Sequence, residues 1–148
     1  PHNFSPTTLA ALDAADKILL LLSPEMASVR CAGMALSVFK ELEYPKEKVD
    51  LVLNWNFQSQ GLPRGEIETA LKKKLSIVIP YAADPIVSAI TMGKPPILNE
   101  TESPLSALLE DLVYYWSEPE QKKKRPETPT ESWKRVAERA RNRAKKDS

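Results

Sequence analysis

Side chains with the reactivity for catalysis are few in this sequence. The one histidine, His2, stands in an amino-terminal loop, and the one cysteine, Cys31, falls on a helix with no histidine to activate its thiol. No His, Cys, Asp and Glu group has metal-ligand spacing, and no phosphate loop of the form G-x-x-x-x-G-K-S/T is present. Alone, the chain is expected to hydrolyse nothing. What the residues do offer is a polar strand end and a strand-to-helix loop. The apolar run Leu51-Val52-Leu53 turns polar at Asn54, whose side chain emerges at the carboxyl end of a strand. Residues 81–83 follow a second strand end at Pro80, and loops in that position are where open α/β sheets bind ligands.

The elements that must position these residues follow from apolar pattern and punctuation. Residues 76–79 are a short β-branched run that Pro80 stops, because proline has no N–H for a sheet ladder. Asp84 and Pro85 are expected to start the next helix, the acid accepting from unpaired N–H groups, and Gly93 to end it. Ser5-Pro6, Ser23-Pro24 and Ser103-Pro104 repeat that start device. Leu9, Ala10 and Leu12 give the first helix a buried side. Residues 17–22 read as a continuously apolar, buried parallel strand. Val29, Ala32, Gly33, Leu36, Phe39 and Leu42 recur at helical spacing until Tyr44-Pro45, with Gly33 read as a close helix–sheet contact. A second strand covers 50–55, and Gln58 to Arg64 is a Gly/Pro-punctuated loop. Ile67, Ala70 and Leu71 line a helix expected to run through Lys72-Lys73-Lys74, a solvated helix end rather than an anion site. Leu105, Leu108, Leu109, Leu112, Val113 and Trp116 share one side of a later helix.

Strand–helix–strand repeats of this length give parallel strands with right-handed helical crossovers. The expected fold class is therefore α/β, about half of a doubly wound sheet, with a basic carboxyl-terminal tail. With 42% apolar residues the chain can build one real core. Residues 1–117 carry 10 Lys/Arg against 14 Asp/Glu, and 118–148 carry 11 against 6, so an acidic body precedes a basic tail. A charged, proline-punctuated linker spans 118–130. Residues 131–148 form a basic tail, with a helix expected over 130–146 and Trp133, Val136, Ala137, Ala140 and Ala144 on one stripe. Its Lys134, Arg135, Arg139, Arg141, Arg143, Lys145 and Lys146 suit phosphates or acidic headgroups by charge, or form a solvated tail with no specific partner. One cysteine permits no internal disulfide, which favours a reducing, cytoplasmic location. The sequence lacks an initiator Met and opens in mid-motif, as a piece of a longer chain would.

The order of motifs resembles the carboxyl-terminal half of the ParA/MinD family of deviant-Walker P-loop ATPases, and within it the CpaE-like members that accompany pilus assembly. Pro1-His2-Asn3-Phe4-Ser5 is similar to the residues just after the Walker B aspartate. Ala14-Ala15-Asp16, the strand to Leu22, Ser23-Pro24-Glu25 and Ser28-Val29-Arg30 resemble the family's succession of Ala-Asp, strand, Pro-Glu and Ser-x-Arg. Val52-Leu53-Asn54 resembles its adenine-recognising strand end. Ile79-Pro80, with Ala89, Gly93 and Pro95 at the family's spacing, resembles its last nucleotide-side loop. The resemblance implies an ATP-dependent dimerising switch that positions a pilus, secretion or division machine, with 1–117 as half of its ATPase-like domain. It implies ATP with Mg as cofactor of the parent protein and none bound by this chain alone. Asn54 would read the adenine edge, since one amide donates and accepts, or else cap its own loop. Pro80, Tyr81 and Asp84 would flank the base. Glu25, Ser28 and Arg30 would face the partner subunit of a homodimer, or else Glu25 is an ordinary first-turn acid with Arg30 as its surface neighbour. The basic tail would meet an anionic membrane surface or non-specific DNA, placing the protein in the cytoplasm or at the inner face of the membrane. A second reading is a non-catalytic adaptor that keeps the fold without using nucleotide.

Overall fold

The computed structural model describes residues 4–146, without the side chains of Lys123 and Lys146; His2 lies outside the described residues. Element order is α1 (Pro6–Ala14), β1 (Ile18–Leu22), α2 (Met26–Glu41), a 3-10 turn (Lys46–Lys48), β2 (Val49–Asn54), α3 (Arg64–Leu71), β3 (Ile77–Ile79), α4 (Ala83–Met92), α5 (Pro96–Asn99), α6 (Pro104–Trp116), α7 (Pro119–Lys123) and α8 (Glu131–Lys146). The chain forms two compact units, Pro1–Tyr81 and Ala82–Ser148.

In the first unit the strands lie in the order β1-β2-β3, all parallel. Ile18 pairs with Val49, Leu22 with Leu53, and Leu53 in turn with Val78. Both crossovers step in the same direction, so their common hand puts α2 and α3 on one face of the sheet. The core lies on that face: Leu22, Leu51, Leu53 and Leu75 pack with Val29 and Ala32 of α2 and Ile67 of α3. Ile18, Phe39 and Val49 extend it toward the other end of the strands. Side chains alternate across a strand, so Leu19 and Leu21 point to the opposite face, where they are 44% and 59% exposed. The strand expected to be buried throughout is thus an edge strand buried on one face only. The αα contact at Gly33 also differs from expectation. A Cβ there would meet Leu71 of α3 at an ordinary 3.6 Å, so the glycine faces a helix, not the sheet.

Two of the four expected helix starts are built as the sequence suggests. Ser5 Oγ accepts from the Thr8 N–H at 3.3 Å and Ser103 Oγ from the Ser106 N–H at 3.1 Å, each with proline as the first helical residue. The other two are not. Before α2 the cap position is Glu25, and Ser23 instead closes a turn by donating its N–H to Ser28 Oγ at 2.9 Å. Before α4 the cap position is Ala82, which puts Asp84 inside the first turn, near the positive end of the helix dipole but capping nothing. α3 stops at Leu71 because Lys72 turns left-handed at φ 49°, so the three lysines do not continue the helix.

In the second unit α4 packs on α5, α5 on α6, and α6 on α8. Leu105 of α6 is buried as its spacing requires, whereas Val113 is exposed. The stretch expected as linker contains the short α7. The basic tail forms α8, opened by Thr130, whose Oγ1 accepts from the Trp133 N–H at 3.2 Å.

Candidate functional site

Parallel register brings three strand ends level. With Leu22, Leu53 and Val78 side by side, the loops beginning at Ser23, Trp55 and Pro80 leave the sheet from the same end. Pro24 is fully buried there, and its carbonyl accepts from the Leu62 N–H at 2.7 Å, so the loop after β2 is tied down on the loop after β1. Gly61 makes that crossing possible. Its φ is +139°, and a Cβ on it would lie 2.8 Å from Pro24 Cγ and 2.9 Å from Trp55 Cζ3. The Trp55 N–H donates to the Ile79 carbonyl at 2.9 Å, which holds the ends of β2 and β3 together.

On this frame the half-buried Asn54 pairs in register with Ile79, next to Pro80. Its side-chain amide has no protein partner among the described residues, and so keeps both a donor and an acceptor for something else. Pro80 and Tyr81 are exposed beside it. Glu25 stands at the same end, its Oε1 accepting from Ser23 Oγ at 3.0 Å. The Ser28 hydroxyl already serves the Ser23 turn. Arg30 is exposed on the next turn of α2, with no carboxylate partner among the described residues. Asn54, Pro80, Tyr81, Glu25 and Ser28 therefore share one end of the sheet. Asp84, exposed in the first turn of α4, belongs to the second unit. Among the described residues no three His, Cys, Asp or Glu converge as a metal site, and no helix is long and apolar enough to cross a membrane.

A second polar constellation is invisible to motif reading. Glu110 of α6 has a side chain only 1% exposed, and its two oxygens take Arg135 at 2.6 Å and Arg139 at 2.7 Å from α8. Asp111 beside it pairs with Arg139 at 2.8 Å and with Arg143. Burial pushes the Glu110 carboxyl up, but hydrogen bonds from Arg135, Arg139 and Ser132 outweigh it and hold the group below its ordinary range. Three of the arginines expected to meet phosphates are thus ion-paired within the unit. Their spacing of four residues opposite an adjacent acid pair was the available signal. In the first unit Glu68 is held down at about 2 by Lys74, by the Leu75 N–H and by Arg64. That knot fastens α3 to the approach of β3.

Three solved structures share this architecture. The chain superposes on a ParA family ATPase from Chlorobium tepidum TLS with TM-score 0.63 and 25% identity, over 71% of this chain and 43% of that one. It matches the MinD cell division protein of Aquifex aeolicus, alone and in a complex with MinC, with TM-score 0.62 and 22% identity, over 78% of this chain and 50% of that one. The chain has a ParA/MinD-like fold. It spans half or less of the length of those proteins. No family model matches the sequence, and no curated protein matches it. Within the ParA/MinD-like frame, the end of the sheet that carries Asn54 is the carboxyl end, where α/β sheets of this kind bind ligands.

Proposed function

We propose that this chain is the carboxyl-terminal half of an ATP-dependent, dimerising switch of the ParA/MinD type, in the CpaE-like branch, and that it supplies the adenine side of the nucleotide site. The observation that carries the reading is the Asn54 amide, without a protein partner among the described residues, at the end of β2 beside Pro80 and Tyr81. An amide so placed matches an adenine edge, which also presents one donor and one acceptor. Pro80 and Tyr81 flank the base. ATP with Mg supplies the phosphoryl chemistry, and the groups that would hold the phosphates lie outside this chain. Glu25 and Arg30, both exposed, face the second subunit of a homodimer, with Ser28 fixing the turn that presents them. Residues 1–117 serve as half of the ATPase-like domain, and the machine positioned is a pilus, secretion or division apparatus.

The remaining cations of the second unit give the switch an anionic contact in the cytoplasm or at the inner face of the membrane. Lys122, Arg125, Arg141 and Lys145 surround a concavity of about 760 Å³ with Tyr114 and Trp133 in its wall. Such a surface meets duplex DNA or acidic lipid through charge, without sequence readout.

The deciding experiment is an ATP titration of the full-length parent protein with and without Asn54→Ala. Loss of a neutral hydrogen bond is worth about 1 kcal/mol, so affinity should fall about fivefold. An unchanged affinity removes Asn54 from the site. The sequence upstream of residue 1 separates the switch from the adaptor: a glycine-rich loop with lysines, then a strand ending in Asp, is required by the switch alone.

A further inference from the structure

At the opposite end of the sheet from Asn54, a groove of about 320 Å³ opens between the carboxyl ends of α2 and α3. Its floor is apolar, made by Leu36, Phe39, Val49 and Leu71. Its rim carries Lys40, Lys46, Lys72 and Lys73 against the single acid Glu43. None of the four lysines is paired with a carboxylate among the described residues. Lys73 Nζ instead donates to the Lys46 carbonyl at 3.0 Å, bracing one wall to the other. Helix ends tolerate lysine for its favourable dipole sign, but that accounts for charge near the last turns and not for an apolar floor between them.

Backbone conformation adds an independent observation. Among the described residues, the non-glycine positions with positive φ are Glu43 at 57° and Lys72 at 49°, and both line this groove. Glycine takes that conformation without a Cβ penalty and is the usual choice where a helix ends left-handed. Side chains kept at strained backbone positions point to a use for the side chains. Here those side chains stand on the rim.

We propose that this groove docks a segment of a partner protein in which carboxylates alternate with a large apolar anchor. The anchor sits on the half-buried Leu36 and Leu71, with the buried Phe39 and Val49 beneath them, and the carboxylates meet the lysine rim. An acidic occupant follows from charge complementarity, four cations with no acid of their own facing one glutamate. An apolar anchor follows from the floor, because a purely acidic ligand would leave Leu36 and Leu71 as they are in its absence.

The test uses the whole chain and a fluorescein-labelled twelve-residue peptide alternating Glu and Asp with Leu and Phe, followed by anisotropy at two salt concentrations. Binding should weaken as salt rises. Lys72→Glu/Lys73→Glu should weaken it about tenfold, and Glu43→Gln should tighten it. Lys72→Gly is the informative variant, since it relieves the left-handed backbone: it should melt no lower than the parent and yet bind less. A peptide with lysine in place of its acids, or serine in place of its apolar residues, should fail to compete. The proposal is overturned if the rim variants bind as the parent does, if the lysine peptide competes equally, or if no binding occurs at millimolar peptide. Self-association of the chain that the same variants abolish would give the groove to a second copy and likewise overturn it.

Discussion

Alanine at position 61 would need a Cβ inside the contact radius of Pro24 and Trp55 while holding φ at +139°, a region that side chains rarely enter. Neither neighbour can give way easily, since Pro24 is fully buried and the Trp55 side chain is packed against the core cluster of the sheet. Gly61→Ala should therefore cost about 2 kcal/mol or more in a thermal melt, and a melt unchanged from the parent would mean the loop crosses elsewhere. Glu110 makes the other residue-scale prediction. Its carboxyl is depressed on folding, so its contribution is fully present above the ordinary value of 4.5 and is lost as pH falls through its lower folded value. Protection factors along α8, taken relative to the intrinsic exchange rate at each pH, should fall on acidification below that range. At neutral pH, Glu110→Ala should cost about 3 kcal/mol by leaving Arg135 and Arg139 without their shared acid. Protection of α8 that is indifferent to both changes would show that the helix is held by other contacts. Asn54 was readable from sequence because a polar residue ending an apolar strand has one natural place to go. Gly61 and Glu110 were not, since each is defined by partners distant in sequence: Pro24 for one, Arg135 and Arg139 for the other.

Proline punctuation located the helices well and their caps unevenly. All four Ser/Asp-Pro pairs lie within a few residues of a real helix start, yet only Ser5 and Ser103 place an oxygen on an N–H of the first turn. The difference is what the preceding chain has to do. Ser23 follows a strand directly and its backbone is taken up by the turn to Ser28, and Asp84 follows residues 81–82, which have already entered the helix by Ala83. Ser5→Ala and Ser103→Ala should each lower stability by about 1 kcal/mol. Asp84→Ala removes only a charge near the dipole and should cost about 0.3–1 kcal/mol. Chemical denaturation of the three variants side by side checks the ranking, and an Asp84 effect as large as that of Ser103 would restore it as a cap. The strands were legible as parallel because nothing alternates in Leu19-Leu20-Leu21-Leu22. Which of their faces α2 and α3 cover depends on the sense of two successive crossovers, and no local pattern contains that.

For the molecule as a whole, what stands out is the apolar surface that the ParA/MinD-like frame leaves uncovered at β1. Among the described residues the strand is paired on one side only, by β2, which leaves its outer edge without a ladder partner beside Leu19 and Leu21. A flat apolar edge is a template for another strand, and burying a leucine side chain returns about 1.5–3 kcal/mol. Two such side chains and a free ladder edge together favour association over a dispersed monomer. The chain by itself should therefore sediment as a dimer or larger species, with a dissociation midpoint that rises when Leu21 is replaced. Leu21→Lys places a charge on the exposed face without touching the Leu22 core, so it should shift the population toward monomer and leave the melting temperature nearly unchanged. In a longer protein whose added strand pairs with β1 and whose helices cover the face that carries Leu21, the same substitution should instead destabilise the fold, because position 21 would then be interior. A parent chain that sediments as a stable monomer at all concentrations would mean that the β1 edge is closed by the chain itself, and the reading of this unit as half of a larger sheet would fall with it.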